Sequence, residues 1–163
     1  MKVAVYPGSF DPITYGHIDI AKRALKVFDR LVIVISVNKA KNSLFTGEER
    51  VEMVKEVMKE YKDNIEVIQS DDLTVKQTKA IGATHIIRGL RAVTDFEYEF
   101  QMTHANRVLE SEIDSIFFMT DNKYSFLSST TVKEIASFVE LEPVPAITMF
   151  FPLLSLMHNS ITF

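Results

Sequence analysis

The chemistry in this chain is concentrated in residues 6–17, Tyr6-Pro7-Gly8-Ser9-Phe10-Asp11-Pro12-Ile13-Thr14-Tyr15-Gly16-His17. An apolar run, Val3, Ala4 and Val5, ends at Pro7-Gly8, turn residues follow, and a helical pattern starts near Gly16. That order is strand, turn, helix start. The free backbone N–H groups of a helix start point outward, and the helix dipole favours anions there. His17 adds an imidazole donor at the same place, and Gly16 leaves room for a ligand to approach the backbone. The pattern predicts a phosphate site. Taken one by one its parts are ordinary, since Gly and Pro after a strand mark a turn and a lone His near a helix start is commonly structural. The conjunction of Gly8-Ser9-Phe10-Asp11-Pro12 with Thr14-x-Gly16-His17 in the first βα connection is what singles the segment out.

Three further segments carry candidates. Arg88-Gly89-Leu90-Arg91 offers two guanidinium groups flanking a flexible turn, and a guanidinium chelates phosphate oxygens with paired donors. The same arginines could instead form ion pairs with Asp95, Glu97 or Glu99. Along the next helix Asp95, Glu99, Met102 and Asn106 fall at i, i+4, i+7 and i+11 on one face, beside an apolar set that includes Phe96 and Phe100. Such a face either meets water or forms the wall of a ligand site. Tyr124-Ser125-Phe126-Leu127-Ser128-Ser129-Thr130 places hydroxyls ahead of an apolar-periodic run, where they cap a helix and leave N–H groups free for a terminal phosphate. In the polar loop Asn38–Asn42, Lys41 and Lys39 compete for any phosphate-binding role.

The elements that must position these groups alternate along the chain. Strands are predicted at Lys2–Tyr6, Leu31–Val37, Ile65–Ile68, Thr84–Ile87 and Ser115–Met119. Helical spacing joins Ile18, Ala21, Leu25 and Phe28, then Val51, Val54, Val57, Met58 and Tyr61 behind a Thr46/Glu49 capping box. Further helices are predicted at Thr74–Ile81 (closed by Gly82), from a Thr94/Glu97 capping pair to about Leu109, and at Ser128–Phe138. Strand–helix alternation predicts an α/β fold, a doubly wound five-stranded parallel sheet, with ligands at the carboxyl ends of the strands. Ser9–Thr14, Lys41, Asp72-Leu73-Thr74, Arg88–Arg91 and Tyr124–Thr130 each follow a strand and so converge on one rim.

Composition sets the bounds. The chain has 163 residues, 47% hydrophobic and 25% charged, and reads as one domain, 1–163, with an atypical apolar tail at 137–163. It holds no Cys, which removes disulfides and thiolate metal sites. A net charge of −4 argues against a general nucleic-acid binder. The opening apolar stretch is too short and too interrupted for a signal peptide, and the tail is broken by Pro152, so a cytoplasmic protein with no membrane partner is expected. The tail Ala146–Phe163 has no charged residue and is expected to be buried or partnered. Neither G-x-x-x-x-G-K-[ST] nor G-x-G-x-x-G occurs, and His17, His85, His104 and His158 lack zinc spacing. His104, inside a helix, reads as structural.

The opening segment resembles the T/HxGH signature of the nucleotidyltransferase superfamily, and in detail the bacterial phosphopantetheine adenylyltransferases. The likeness runs from about residue 2 to about Ala136 and takes in Arg88–Asn106 and a second signature of the type ISSTxxR, here with Lys133 in place of Arg. It implies AMP transfer from ATP to 4′-phosphopantetheine, giving dephospho-coenzyme A and pyrophosphate, with Mg²⁺ carried on the nucleotide and no protein carboxylate named as its ligand. It implies that His17, Lys41 and Arg91 are catalytic. Ser9, Phe10, His17, Gly89, Leu90, Arg91, Glu99 and Tyr124-Ser125-Phe126-Leu127-Ser128-Ser129-Thr130 would bind ATP. Ser9, Lys41, Asp72, Leu73, Thr74, Arg88, Met102, Asn106 and Glu134 would bind the acceptor. A homohexamer is implied as well. The alternatives are a superfamily member with another nucleotide or acceptor, such as a cytidylyltransferase, and a catalytically silent nucleotide sensor.

Overall fold

The computed structural model describes residues 1–38, 42–91 and 93–138. Lys39, Lys41, the Ala146–Phe163 stretch and most of the tail therefore lie outside the described residues. Strands and helices alternate as β1 Val3–Gly8, α1 Tyr15–Ala24, β2 Arg30–Ser36, α2 Gly47–Val57, β3 Ile65–Ser70, α3 Thr74–Ile81, β4 His85–Leu90, α4 Val93–Leu109, β5 Asp114–Met119 and α5 Ser129–Phe138. Single 3₁₀ turns lie at Lys59–Tyr61 and Asn122–Tyr124. All strand pairs are parallel, in the order β3-β2-β1-β4-β5. The expected doubly wound sheet is present. Its strand order reverses between β1 and β4, the position at which such sheets open toward a ligand.

Alternate strand residues feed two layers of core. Ala4, Tyr6, Leu31, Ile33 and Ile35 pack with Ile18 and Ala21 of α1 and Met53 and Val54 of α2. On the other face Val5, Val32 and Val34 pack with Ala83 and Ile81, and Val75 of α3 meets Ile86 and Ile113. With helices on both faces, the inner strands have no polar face to show, which is why they read as near-continuous apolar runs.

Local signals hold in detail at two helices. Glu49 N–H donates to Thr46 Oγ1 at 3.2 Å and Thr46 N–H to Glu49 Oε2 at 2.7 Å, the reciprocal capping box at the head of α2. Gly82 sits at φ 76° and ends α3, a left-handed position that glycine adopts without a Cβ penalty. Elsewhere the boundaries differ. α1 stops at Ala24, because Lys26 and Val27 donate to Arg23 and Ala24 in tighter i→i−3 bonds; Phe28 lies beyond the helix yet is buried against it. α4 begins at Val93, so Thr94 lies inside its first turn. Phe96 and Phe100 are half-exposed and face each other with ring centroids 5.8 Å apart.

Three strands run past their predicted carboxyl ends: β3 reaches Ser70, and the other two bear on the rim. β1 continues through Pro7 and Gly8, which pair with Val34 and Ile35 of β2, so the turn begins at Ser9. β4 includes Arg88, Gly89 and Leu90, paired with Phe117, Phe118 and Met119, so these residues are strand and not the expected turn. The reason for Gly89 is packing. A Cβ there would lie 2.4 Å from Ile20 Cδ1, so glycine is what lets α1 settle against the sheet.

Candidate active site

β1 pairs with β2 over six positions but with β4 only at Ala4↔His85 and Val5↔Ile86. Past Val5 the two strands part and open a cleft of about 460 Å³. Pro7 makes this parting cheap. Its carbonyl oxygen accepts from Arg88 Nη1 at 3.5 Å, so its missing N–H falls on the side where no β4 ladder exists. Phe10, at φ 46°, turns the chain sharply out of β1, and its ring meets that of His17 at 5.0 Å. Ser9 and Phe10 line the cleft beneath the start of α1.

His17 is fixed by its own helix start. Thr14 N–H donates to His17 Nδ1 at 3.0 Å. A backbone N–H can only donate, so Nδ1 accepts and the ring proton resides on Nε2. Burial and the nearby Arg91 charge push the His17 pKa down to about 4. The ring is thus neutral at physiological pH and lines the cleft as a donor through Nε2–H. Gly16 lines it too, and a Cβ there would meet nothing nearer than Thr120 Cγ2 at 3.5 Å. Packing does not demand that glycine; its bare Cα leaves the cleft wall open.

Both arginines line the cleft, and both are paired. Arg88 forms a two-pronged contact with Glu99, Nε to Oε2 at 2.6 Å and Nη2 to Oε1 at 2.5 Å. Arg91 lies 3.5 Å from Asp95 through Nε. The arginines thus line the cleft and also form ion pairs, with Glu99 and Asp95 as the partners. Glu99 was expected on the nucleotide; its two oxygens are occupied by Arg88, although it lines the cleft. The predicted α4 face is real: Asp95 and Glu99 line this cleft, and Glu99, Met102 and Asn106 line a second cavity of about 190 Å³ that also takes in Leu73, Thr74 and Arg88. The two cavities share Arg88, Tyr98 and Glu99.

The far wall comes from the start of α5. Ser128 caps it, accepting from Thr131 N–H at 3.0 Å, and Ser129 Oγ donates to Pro12 O at 2.8 Å. Leu127, Ser128, Ser129 and Thr130 line the cleft; Tyr124, Ser125 and Phe126 do not. Phe126 is 92% exposed, and Tyr124 instead stacks on Tyr15 at 6.0 Å. On the acceptor side Asp72 is exposed and accepts from Leu73 N–H, and Glu134 is exposed outside both cavities. His104 is exposed and touches the Phe100 ring edge at 4.7 Å.

Two buried charges that sequence reasoning missed hold the first loop. Asp11 accepts from Leu44 N–H at 3.0 Å, Phe45 N–H at 2.9 Å and Lys133 Nζ at 3.1 Å. Burial alone would raise its pKa, but the two N–H groups and the ammonium outweigh it and hold the carboxyl below its ordinary value. Arg50, 2% exposed, donates from Nη1 to Ser9 O at 2.7 Å and Ser36 O at 3.3 Å, and from Nε to Thr46 O at 3.2 Å. Among the described residues no group of three or more His, Asp or Glu could hold a metal ion. No helix of the described residues is long and apolar enough to cross a membrane.

A parallel sheet split at its switch point, with a neutral imidazole and two helix starts facing the split, suits a phosphate-bearing ligand, and sequence likeness places the chain among the nucleotidyltransferases. The cytidylyltransferase-like family profile matches residues 5–135. Among solved structures, a putative nicotinate-nucleotide adenylyltransferase from Vibrio parahaemolyticus superposes with a TM-score of 0.62 over 99% of this chain and 94% of that one, at 15% identity. That likeness concerns the fold alone. Sequence similarity is much closer to proteins named phosphopantetheine adenylyltransferase: 53% identity over 85% of this chain and 86% of the protein from Caldanaerobacter subterraneus subsp. tengcongensis. The Clostridium botulinum protein (strain Alaska E43) is 54% identical over the same shares, and that of Geotalea daltonii 50% identical over 84% of each chain. The chain belongs to the phosphopantetheine adenylyltransferase family, within the cytidylyltransferase-like proteins.

Proposed function

We propose that the protein transfers the adenylyl group of ATP to 4′-phosphopantetheine, releasing pyrophosphate and forming dephospho-coenzyme A. The observation that carries this reading is the pair of cavities meeting at Arg88, Tyr98 and Glu99, which lets two ligands lie end to end across the parting of β1 and β4. An oxygen of the acceptor phosphate attacks the α-phosphorus, and the bond to the bridging oxygen of the pyrophosphate breaks. The attacking group is already ionised at neutral pH, so no general base is needed. Catalysis then consists of alignment and of stabilising charge that builds on the α-phosphate.

In this reading His17 Nε2–H donates to that phosphate while Arg91 and the N–H groups at Ser129–Thr130 take the outer phosphates. Arg88, steadied by Glu99, holds the acceptor with Leu73, Thr74, Met102 and Asn106 along the smaller cavity. Lys41, which lies outside the described residues, would meet the acceptor phosphate, with Asp72 and Glu134 as further acceptor contacts. The acidic groups lining the cleft are engaged, Asp95 with Arg91 and Glu99 with Arg88, so a divalent cation would ride on phosphate oxygens and water. Mg²⁺ would supply charge neutralisation on the polyphosphate. A cytoplasmic, homo-oligomeric enzyme fits this role, and half-exposed Phe96 and Phe100 beside exposed Val108 on α4 support association.

A coupled pyrophosphate assay with ATP and 4′-phosphopantetheine tests the proposal. Turnover that requires both, and that CTP does not replace, is expected. Turnover with another nucleotide or acceptor, or nucleotide binding without turnover, would overturn it.

A further inference from the structure

The head of α5 is held in register by polar ties more than by core packing. Among the described side chains of α5 only Val132 is buried. One aliphatic side chain sets how deep a helix sits but leaves it free to turn and slide. Two bonds to the loop after β1 remove that freedom. Ser129 Oγ donates to Pro12 O at 2.8 Å, and one turn along the same face Lys133 Nζ donates to Asp11 Oδ2 at 3.1 Å. The carboxyl of Asp11 is fixed independently of Lys133, since its side chain is 5% exposed and already accepts Leu44 N–H and Phe45 N–H. Arg50 holds Ser9 O of the same loop. Lys133 therefore meets a rigid anchor. Its own side chain is 33% exposed and does not line the cleft, although Ser129 and Thr130 at the start of its helix do.

We propose that Lys133 is a positioning residue, which through Asp11 sets the head of α5 against the α1 start that bears His17, and that it does not itself bind phosphate. The inference rests on the adenylyl-transfer reading. In that reading the N–H groups of Ser129 and Thr130 take the outer phosphates while His17 donates to the α-phosphate, so the reaction needs both sets of donors in one register. Asp11 stands in the loop that leads into α1, so its pair with Lys133 joins the two walls from outside the cleft. A small drift of α5 would leave the nucleotide bound but out of line for attack.

Lys133→Met, which keeps the aliphatic stem, and Lys133→Arg, which keeps the charge, test this in the unaltered chain and in an Asp11→Asn background. Lys133→Met is expected to lower kcat at saturating ATP and 4′-phosphopantetheine about 10-fold, while ATP affinity by calorimetry falls less than about threefold. Lys133→Arg should recover most of the rate. In the Asp11→Asn background Lys133→Met should have little further effect, because the anchor it acts through is gone. A loss of ATP affinity of about 10-fold or more in both backgrounds, the worth of a charged hydrogen bond, would make Lys133 a phosphate ligand and overturn the inference. An unchanged kcat, whatever the melting temperature, rate losses that simply add in the double variant, or an equal loss in Lys133→Arg would also overturn it. If Asp11→Asn does not fold, the split between kcat and ATP affinity in Lys133→Met decides alone. If the unaltered chain turns over no ATP with 4′-phosphopantetheine, the adenylyl-transfer reading fails, and the ATP affinities in the two backgrounds then decide whether Lys133 binds phosphate.

Discussion

Acidification should strip away a defined part of the stability of this fold through His17. Its Nδ1 accepts the Thr14 N–H at 3.0 Å, so a proton there would set a donor against a donor and a positive charge beside Arg91. The fall from 6.5 to about 4 corresponds to about 3 kcal/mol, at about 1.4 kcal/mol per tenfold change in proton affinity. The sign follows from proton counting. Between these two values the unfolded chain carries the proton and the folded chain does not, so the free energy of unfolding falls as the pH falls. The contribution is complete above the unfolded value and gone below the folded one. Urea unfolding of the wild type and of His17→Gln between pH 7.5 and 4.5 measures it. Their stability difference should shrink by about 2–3 kcal/mol over that range, while the low-pH loss at Asp11, common to both, cancels. Ring-carbon NMR should show His17 still neutral at pH 5. A His17 titration near 6.5, or a stability difference indifferent to pH, would refute the assigned tautomer and the environment derived from it.

Other expectations follow from the same contacts. His17→Ala should lower turnover about 10²–10³-fold with a much smaller loss of ATP affinity by calorimetry, since its bond strengthens as charge builds on the α-phosphate. Asp11→Ala leaves two N–H groups and an ammonium unpaired, and should cost about 2–3 kcal/mol in urea unfolding. In the polar loop, Lys41→Ala should raise the KM for 4′-phosphopantetheine and lower the rate, and Lys39→Ala should do neither; the reverse pattern in steady-state kinetics would place the functional cation at Lys39.

The parts of the fold legible in the sequence are those written in short-range pattern. The Thr46/Glu49 box and Gly82 are local devices whose geometry depends on a few neighbours, and both were found where spacing put them. Strand ends were harder. Pro7 and Gly8 carry turn propensity, yet pairing with Val34 and Ile35 on one side and an open cleft on the other make them strand. Gly89 reads as a flexible turn until Ile20 is brought against it. Motif residues at the rim were legible because their types carry chemistry, and His17, Arg88, Arg91, Leu127, Ser128, Ser129 and Thr130 do line the cleft. Tyr124, Ser125 and Phe126 share that motif but not the wall, because the 3₁₀ turn at Asn122–Tyr124 lays Tyr124 on Tyr15 and leaves Phe126 in solvent.

Arg50 shows why the supporting residues were not legible. In Gly47-Glu48-Glu49-Arg50 it looks like one more charge on a solvated first turn. Only the arrival of Ser9 from one strand end and Ser36 from another converts that position into a buried site with three carbonyl acceptors. A buried guanidinium is tolerable there because its donors meet oxygens fixed by strand and helix backbone. Asp11 does the complementary work with opposite charge, accepting N–H groups from Leu44 and Phe45 and tying in Lys133 of α5. Between them the two charges join the loop after β1 to the end of β2, the head of α2 and the head of α5. The segment bearing Lys39 and Lys41 runs between two of those anchored ends, Ser36 and Leu44. The loop after β1, which leads into the helix start that orients His17, is thus fastened from two sides, so substitutions at Arg50 or Asp11 should disturb alignment in the cleft even though neither side chain lines it.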